Sequence, residues 1–254
     1  MVKRFVPALR ESEGLDFVVA NYENASHGFG LTEKNAKELF GCGIDAMTGG
    51  NHTWDKKEIV GLLRSMPLLR PLNYPSGVPG EGVKVFEVGG ERLAVVNLMG
   101  HYGMPMVDNP FLRILECIDR LETEGVDHIV IDMHAEATSE KRALLMMLKG
   151  RVGAIVGTHT HVGTDDLVID GGCAYVSDIG LTGCRDNVIG MDAKVPIERF
   201  LTGLPGRFEV PSRCRKILQM IVVESIEGQA VSAYKIKCYE EGDRVDLPAM
   251  VEVA

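Results

Sequence analysis

An α/β fold built on mixed sheets is what three features of the sequence predict. Short apolar runs rich in β-branched residues alternate with amphipathic helical patterns through the middle of the chain. Two further segments alternate on both sides of a glycine turn and read as hairpins. Polar or glycine-rich stretches follow most of the apolar runs, and no repeat, low-complexity tract or linker divides the chain, so residues 1–254 read as a single domain.

Taken in order, "LDFVVANYEN" is a buried strand, and "LTEKNAKELFGCG" is a helix that Thr32 can cap and Gly41 or Gly43 can end. "DAMTGGNHTWD" is a short strand running into a loop, and "KKEIVGLLRSM" is the next amphipathic helix. "VKVFEVGGERLAVVNLMG" is a hairpin turning at Gly89-Gly90. "PFLRILECIDRLETEG" is helical, "VDHIVIDMHAE" is a strand, and "SEKRALLMMLKG" is a helix with Ser139 at its start. "RVGAIVGTHTH" and "CAYVSDIG" are strands, and "KILQMIVVESIEGQAVSAYKIKCYEE" is a final hairpin.

Composition narrows the function classes. With 45% hydrophobic and 25% charged residues the chain can bury a sizeable core and carries no signature of disorder. A formal charge of −9 argues against stable nucleic-acid binding, though a bound cation can reverse the local field for a small phosphorylated substrate. No run approaches the roughly 18 apolar residues of a membrane span, and the start lacks the apolar core of a signal peptide. The six cysteines are scattered without tight spacing, which predicts reduced thiols in a cytoplasmic protein.

The chemistry-bearing residues gather at the ends of the predicted strands. These ends carry Glu23 and Asn24, Asn51 and His52, His134 with Glu136, and His159 with His161. In an α/β sheet such ends share one edge, where ligands bind. Thr-His-Thr-His after a strand points both imidazoles the same way if the backbone stays extended. Carboxylate, amide oxygen and imidazole together suit a borderline divalent metal, and the lack of a cysteine argues against a structural zinc site. Glu23, Asn24, Asn51, His134, His159 and His161 are too many for one tetrahedral ion and match two ions sharing a carboxylate.

The motifs "GGNHTWDK", "DMHAEATSEK", "VGTHTHVGTDD", "SDIGLTG" and "RFLTGLP" resemble the YmdB-like branch of the calcineurin-like metallophosphoesterases over nearly the whole chain. That resemblance implies a four-layer α/β/β/α sandwich with mixed sheets and phosphodiesterase activity on cyclic nucleotides such as 2′,3′-cyclic AMP. It also implies a centre of two divalent or mixed-valence metal ions, iron in the first instance with manganese able to substitute. Glu23 corresponds to the bridging carboxylate, Asn24 and His161 to ligands of the first metal, and Asn51, His134 and His159 to ligands of the second. His52 corresponds to the proton donor opposite a hydroxide held between the metals. The family's opening Gly-Asp strand has no counterpart here, because "MVKRFVPALRES" resembles the helix after it. The first metal is therefore expected to bind more weakly. The partner expected is a small phosphodiester, with no membrane, and with homo-oligomers open to it. The rival reading is a metal-binding regulatory or scaffold protein of the same fold with weak or no turnover.

Overall fold

The computed structural model describes residues 1–251. Helix α1 (Val2–Ser12) leads to strand β1 (Val19–Asn21), helix α2 (Glu33–Phe40), strand β2 (Ala46–Thr48) and helix α3 (Ile59–Ser65). Strands β3 (Val83–Val88) and β4 (Glu91–Met99) follow, then α4 (Pro110–Thr123), β5 (His128–His134), α5 (Thr138–Leu148) and β6 (Ala154–Thr158). The remainder is β7 (Val168–Asp170), β8 (Cys173–Val176), β9 (Gly183–Cys184), α6 (Lys194–Thr202), β10 (Lys216–Ile226), β11 (Gln229–Tyr239), β12 (Arg244–Pro248) and β13 (Met250–Val251).

Local chemistry accounts for many of the boundaries. Thr32 caps α2, its hydroxyl accepting from the Asn35 amide at 3.4 Å, and Asn109 caps α4 ahead of Pro110 in the first turn. Gly89 and Gly90 take φ of +61° and +92°, the double positive turn that lets Val88 pair directly with Glu91. Ser139 does not cap α5: the helix begins at Thr138 with Ala137 at the cap and no side-chain bond.

The strands form three sheets. The largest has the order β13-β7-β8-β6-β5-β4-β3, with β4, β5 and β6 parallel; a second has the order β12-β11-β10-β9; β1 and β2 pair in parallel as a third. Their stacking follows from which side chains they bury. On β5, Ile129, Ile131 and Met133 pack with Ile114, Ile118 and Leu121 of α4 and Leu144, Leu145 and Leu148 of α5. The period of two turns the intervening residues to the opposite face, where the large sheet meets β10 and β11 through Val156, Val176, Val223 and Ala233. On the far side Val6 and Leu9 of α1, Ala36 of α2 and Leu62 and Leu63 of α3 cover β1, β2, β10 and β11. Helices, large sheet, smaller sheets and helices make four layers.

The smaller layer is interrupted. β1 pairs only with β2, and β10 beyond Ile217 pairs only with β11, so the two facing edges have no ladder partner among the described residues. Between them lies a cavity of about 1910 Å³ lined by Val19 and Ala20 on one side and Met220 and Val222 on the other. Helix α1 straddles it. Its Arg10 binds Asp45 before β2 at 2.6 Å, while its C-terminal neighbour Glu13 accepts from Tyr234 of β11 at 2.7 Å.

Sequence patterning missed α6 and the short strands β7, β9, β12 and β13, and the strands, of two to five residues, are too brief for a periodic signal. The reading of six reduced thiols is also corrected. Cys184 of β9 is disulfide-bonded to Cys214, 30 residues on, with Cα atoms 5.6 Å apart, and four cysteines are free. Spacing gave no warning, because α6 and its flanking loops fold back to bring the pair together. No helix of the described residues is long and apolar enough to cross a membrane.

Candidate metal centre

Strand ends from two layers converge at one rim. β1 runs out into Glu23, β2 into Gly49, Gly50, Asn51 and His52, β5 ends on His134, and β6 leads into His159. Because β1 and β2 are parallel, and β5 and β6 are parallel, their carboxyl ends open together where the sheets face each other.

Glu23 and His134 are each 1% exposed, so a carboxylate and an imidazole share a site away from water. His134 Nε2 stands 2.7 Å from Glu23 Oε2, 2.9 Å from Asn51 Oδ1 and 3.2 Å from His159 Nδ1. Gly50 permits this crowding: a Cβ there would come within 2.3 Å of Glu23 Oε2 and 2.4 Å of His134 Nε2. Only glycine leaves room for the two side chains to meet.

The hydrogen-bond pattern assigns the protons. The Thr158 hydroxyl donates to Asp132 Oδ1 at 2.6 Å, so its oxygen accepts from His134 Nδ1 at 3.0 Å. His134 Nε2 is then a lone pair facing the Glu23 carboxylate and the Asn51 carbonyl. A proton on His159 Nδ1 could serve only one of them, and the buried Glu23 Oε2 has no hydrogen-bond partner. Acceptors gathered out of water around an unsatisfied carboxylate oxygen call for a cation.

The set of one carboxylate, one amide oxygen and two imidazoles, without thiolate, fits a borderline divalent ion. No group of three or more His, Cys, Asp or Glu side chains among the described residues stands ready as a metal cage. The donors have closed on one another at 2.7–3.2 Å, whereas ligands of one ion at about 2.1 Å lie roughly 3.0–3.4 Å apart. His134 Nε2 would therefore have to draw back from Glu23 Oε2 and Asn51 Oδ1 by a few tenths of an ångström to share an ion with them.

The surroundings set the charges. Burial pushes the Glu23 carboxyl up, yet the carboxyl lies below its usual range, and the His52 amide, which donates to Oε1 at 2.7 Å, is one of the contacts that hold it there. Burial, reinforced by neighbouring His134, pushes the His159 imidazole down to about 4, so it is a neutral ring at physiological pH. Its other nitrogen lies 3.1 Å from Glu136 Oε2.

The Thr-His-Thr-His backbone is not extended, which corrects the expectation of two imidazoles pointing one way. His159 has φ +102° and His161 φ +63°, left-handed conformations that cost non-glycine residues about 1–3 kcal/mol each. Asp178 holds this turn, accepting from the Thr160 amide at 3.0 Å and pairing with the buried Lys141 at 3.3 Å. As a result His159 joins His134, while His161 Nδ1 bonds the Ile189 carbonyl at 2.9 Å. Asn24 likewise turns to its own loop, donating to the Gly28 carbonyl at 2.8 Å. Both line the same cavity as Glu23, His134 and His159, but neither bonds to that group among the described residues. His52 sits beside the cluster with Nδ1 2.8 Å from Asp55 Oδ2 and its ring edge-on to Phe29 at 5.0 Å.

The sequence profile described as YmdB-like protein matches residues 1–237. The chain belongs to the YmdB-like family. Among its relatives, a 2′,3′-cyclic-nucleotide 2′-phosphodiesterase of Bacillus subtilis (strain 168) is 46% identical over 239 residues, which span 93% of this chain and 89% of that one. A protein of Thermus thermophilus superposes with a TM-score of 0.89 at 39% identity, covering 94% of this chain and 93% of that one. A phosphatase from Mycoplasma pneumoniae superposes with a TM-score of 0.81 at 30% identity, covering 97% and 87%. The four layers are those of the calcineurin-like metallophosphoesterase sandwich.

Several residues that build the site were not singled out from sequence. Asp132, Thr158, Asp178 and Lys141 lie beneath or behind it, and Asp55 supports His52. Asp132 did carry a signal: it is a carboxylate in the middle of the apolar run "HIVIDMH", on the face that period two turns away from the helices.

Proposed function

We propose that the chain is a metal-dependent phosphodiesterase acting on small phosphodiesters of the cyclic-nucleotide class, such as 2′,3′-cyclic AMP, with His52 as proton donor. The observation that carries this reading is the buried Glu23 carboxylate oxygen, left without a hydrogen bond among the donor atoms of Asn51, His134 and His159. Family membership supports the coarser class of phosphodiesterase or phosphatase, and the name of the Bacillus subtilis relative supports the substrate.

In this reading Glu23, Asn51, His134 and His159 would hold one ion, and Asn24 and His161, together with Glu23, would hold a second. Iron is the metal expected, with manganese able to replace it. Such ions neutralise charge on phosphoryl oxygens and activate water at neutral pH.

The rest falls to the chain's own groups. The His52 amide fixes Glu23 Oε1, while its ring, not engaged with the cluster, is oriented by Asp55 through Nδ1. That contact places a proton on Nδ1 and fixes the direction in which the ring points. Nε2 is then the atom that holds the proton a departing alkoxide takes up, a role an imidazole bound to metal cannot fill.

One observation favours the alternative of a metal-binding protein with little turnover: Asn24 and His161 bond to loop carbonyls instead of to the cluster. Elemental analysis together with hydrolysis of 2′,3′-cyclic AMP and a nitrophenyl phosphodiester separates the two. Turnover in the wild type, with loss of metal and rate in His134→Gln and His159→Ala, is the expected result. Full metal and full rate in both variants would overturn the site; metal without turnover, tried with iron and with manganese, would favour the regulatory protein.

A further inference from the structure

One buried carboxylate takes no part in the donor cluster and yet is wired to it. Asp132 lies in β5 two residues before His134, is 7% exposed, and faces the gap between the layers rather than the helices. It accepts from Asn21 Nδ2 of β1 at 3.0 Å, from the Thr48 hydroxyl of β2 at 2.5 Å and from the Thr158 hydroxyl of β6 at 2.6 Å. Four strands from two sheets thus meet on one side chain.

The Thr158 bond has a chemical consequence. A hydroxyl has one proton; given to Asp132, it cannot also be given to His134, so toward the imidazole the oxygen only accepts. The acceptor demands Nδ1–H, and a neutral imidazole with Nδ1–H has its lone pair on Nε2, the atom 2.7 Å from Glu23 Oε2. Without an acceptor at position 132, the Thr158 proton is free to turn toward Nδ1. The ring proton then moves to Nε2 and the lone pair is lost from the cluster.

We propose that Asp132 is a positioning residue: acting through the Thr158 hydroxyl, it keeps the His134 proton on Nδ1 and the Nε2 lone pair aimed at the donor cluster. Outer-shell partners of this kind typically change metal affinity about 10–100-fold when removed. The metal arm of the test rests on the metal-site reading above; the tautomer arm does not.

The tautomer of His134 is read by long-range ¹⁵N–¹H correlation on the metal-free protein, its signals assigned by their loss in His134→Gln. Manganese(II) binding is measured separately by titration calorimetry. Wild type and Thr158→Ser, which keeps the hydroxyl, are expected to show Nδ1–H. Asp132→Leu, which removes the acceptor in a side chain of the same branched shape, and Thr158→Val are expected to shift the ring toward Nε2–H and to weaken manganese binding about 10–100-fold. Thr158→Val is nearly isosteric, and it keeps the relay through the hydroxyl falsifiable if Asp132→Leu fails to fold. Nδ1–H persisting in a folded Asp132→Leu or in Thr158→Val would overturn the proposal, as would manganese affinity within about twofold of wild type in both variants. A tautomer that responds as expected in a protein that binds no manganese would instead leave the positioning role standing and remove the metal reading.

Discussion

At the scale of single residues, the site depends on where lone pairs and protons sit. His134 touches a carboxylate, a carbonyl and a second imidazole with one nitrogen, and Gly50 is what lets them approach. His52, next to Asn51 in sequence, is kept out of that cluster by its pairing with Asp55. His52→Ala is therefore expected to retain bound metal while turnover of a cyclic nucleotide, whose alkoxide leaves poorly, falls about 10²–10⁴-fold. The loss should be much smaller with a nitrophenolate leaving group, which needs little protonation. Steady-state rates on the two substrates check this, and equal losses on both would assign His52 a structural role.

Among the elements, α1 and the segment around α6 are secured by contacts that patterning does not display. Glu13, just past α1, accepts from Arg244 at 2.7 Å and from Tyr234 at 2.7 Å, and these bonds hold its carboxyl down to about 2. A depressed folded pKa contributes stability that is full above the ordinary carboxylate value, 4.5 in the unfolded chain, and is lost as pH falls toward 2. Glu13→Gln is expected to melt below wild type at pH 7, and the difference should shrink steadily between about pH 5 and pH 2; thermal melts across that range are the measurement. A gap independent of pH would mean that the carboxylate charge contributes nothing.

The disulfide from β9 to Cys214 closes a loop of 30 residues that includes α6. Chain-entropy arguments assign such a closure about 3–4 kcal/mol. Cys214→Ser should lower the melting temperature and open the segment between residues 185 and 213 to limited proteolysis. The same cleavage rate in wild type and variant would show that the bond anchors nothing.

For the molecule as a whole, the layers are unequally supported. β5 and β6 lie inside the large sheet with helices over them, whereas β1 has a single partner and borders the cavity that separates it from β10. Unpaired strand edges open easily. Hydrogen exchange is expected to label β1, β2 and the free edge of β10 well before β5 and β6; equal protection would show that the gap is closed in solution. The alternation of strands and helices, the family, and the gathering of Glu23, Asn51, His134 and His159 at strand ends were all legible along the chain, because periodicity and strand polarity are local properties that pairing only aligns. Packing in three dimensions settled the rest. The left-handed turn that separates His159 from His161, the bond between Cys184 and Cys214, and the approach of Asp132 to Asn21, Thr48 and Thr158 depend on contacts between separate elements. Each is set by how two sheets stack or how a loop is anchored, and neither leaves a period in the chain.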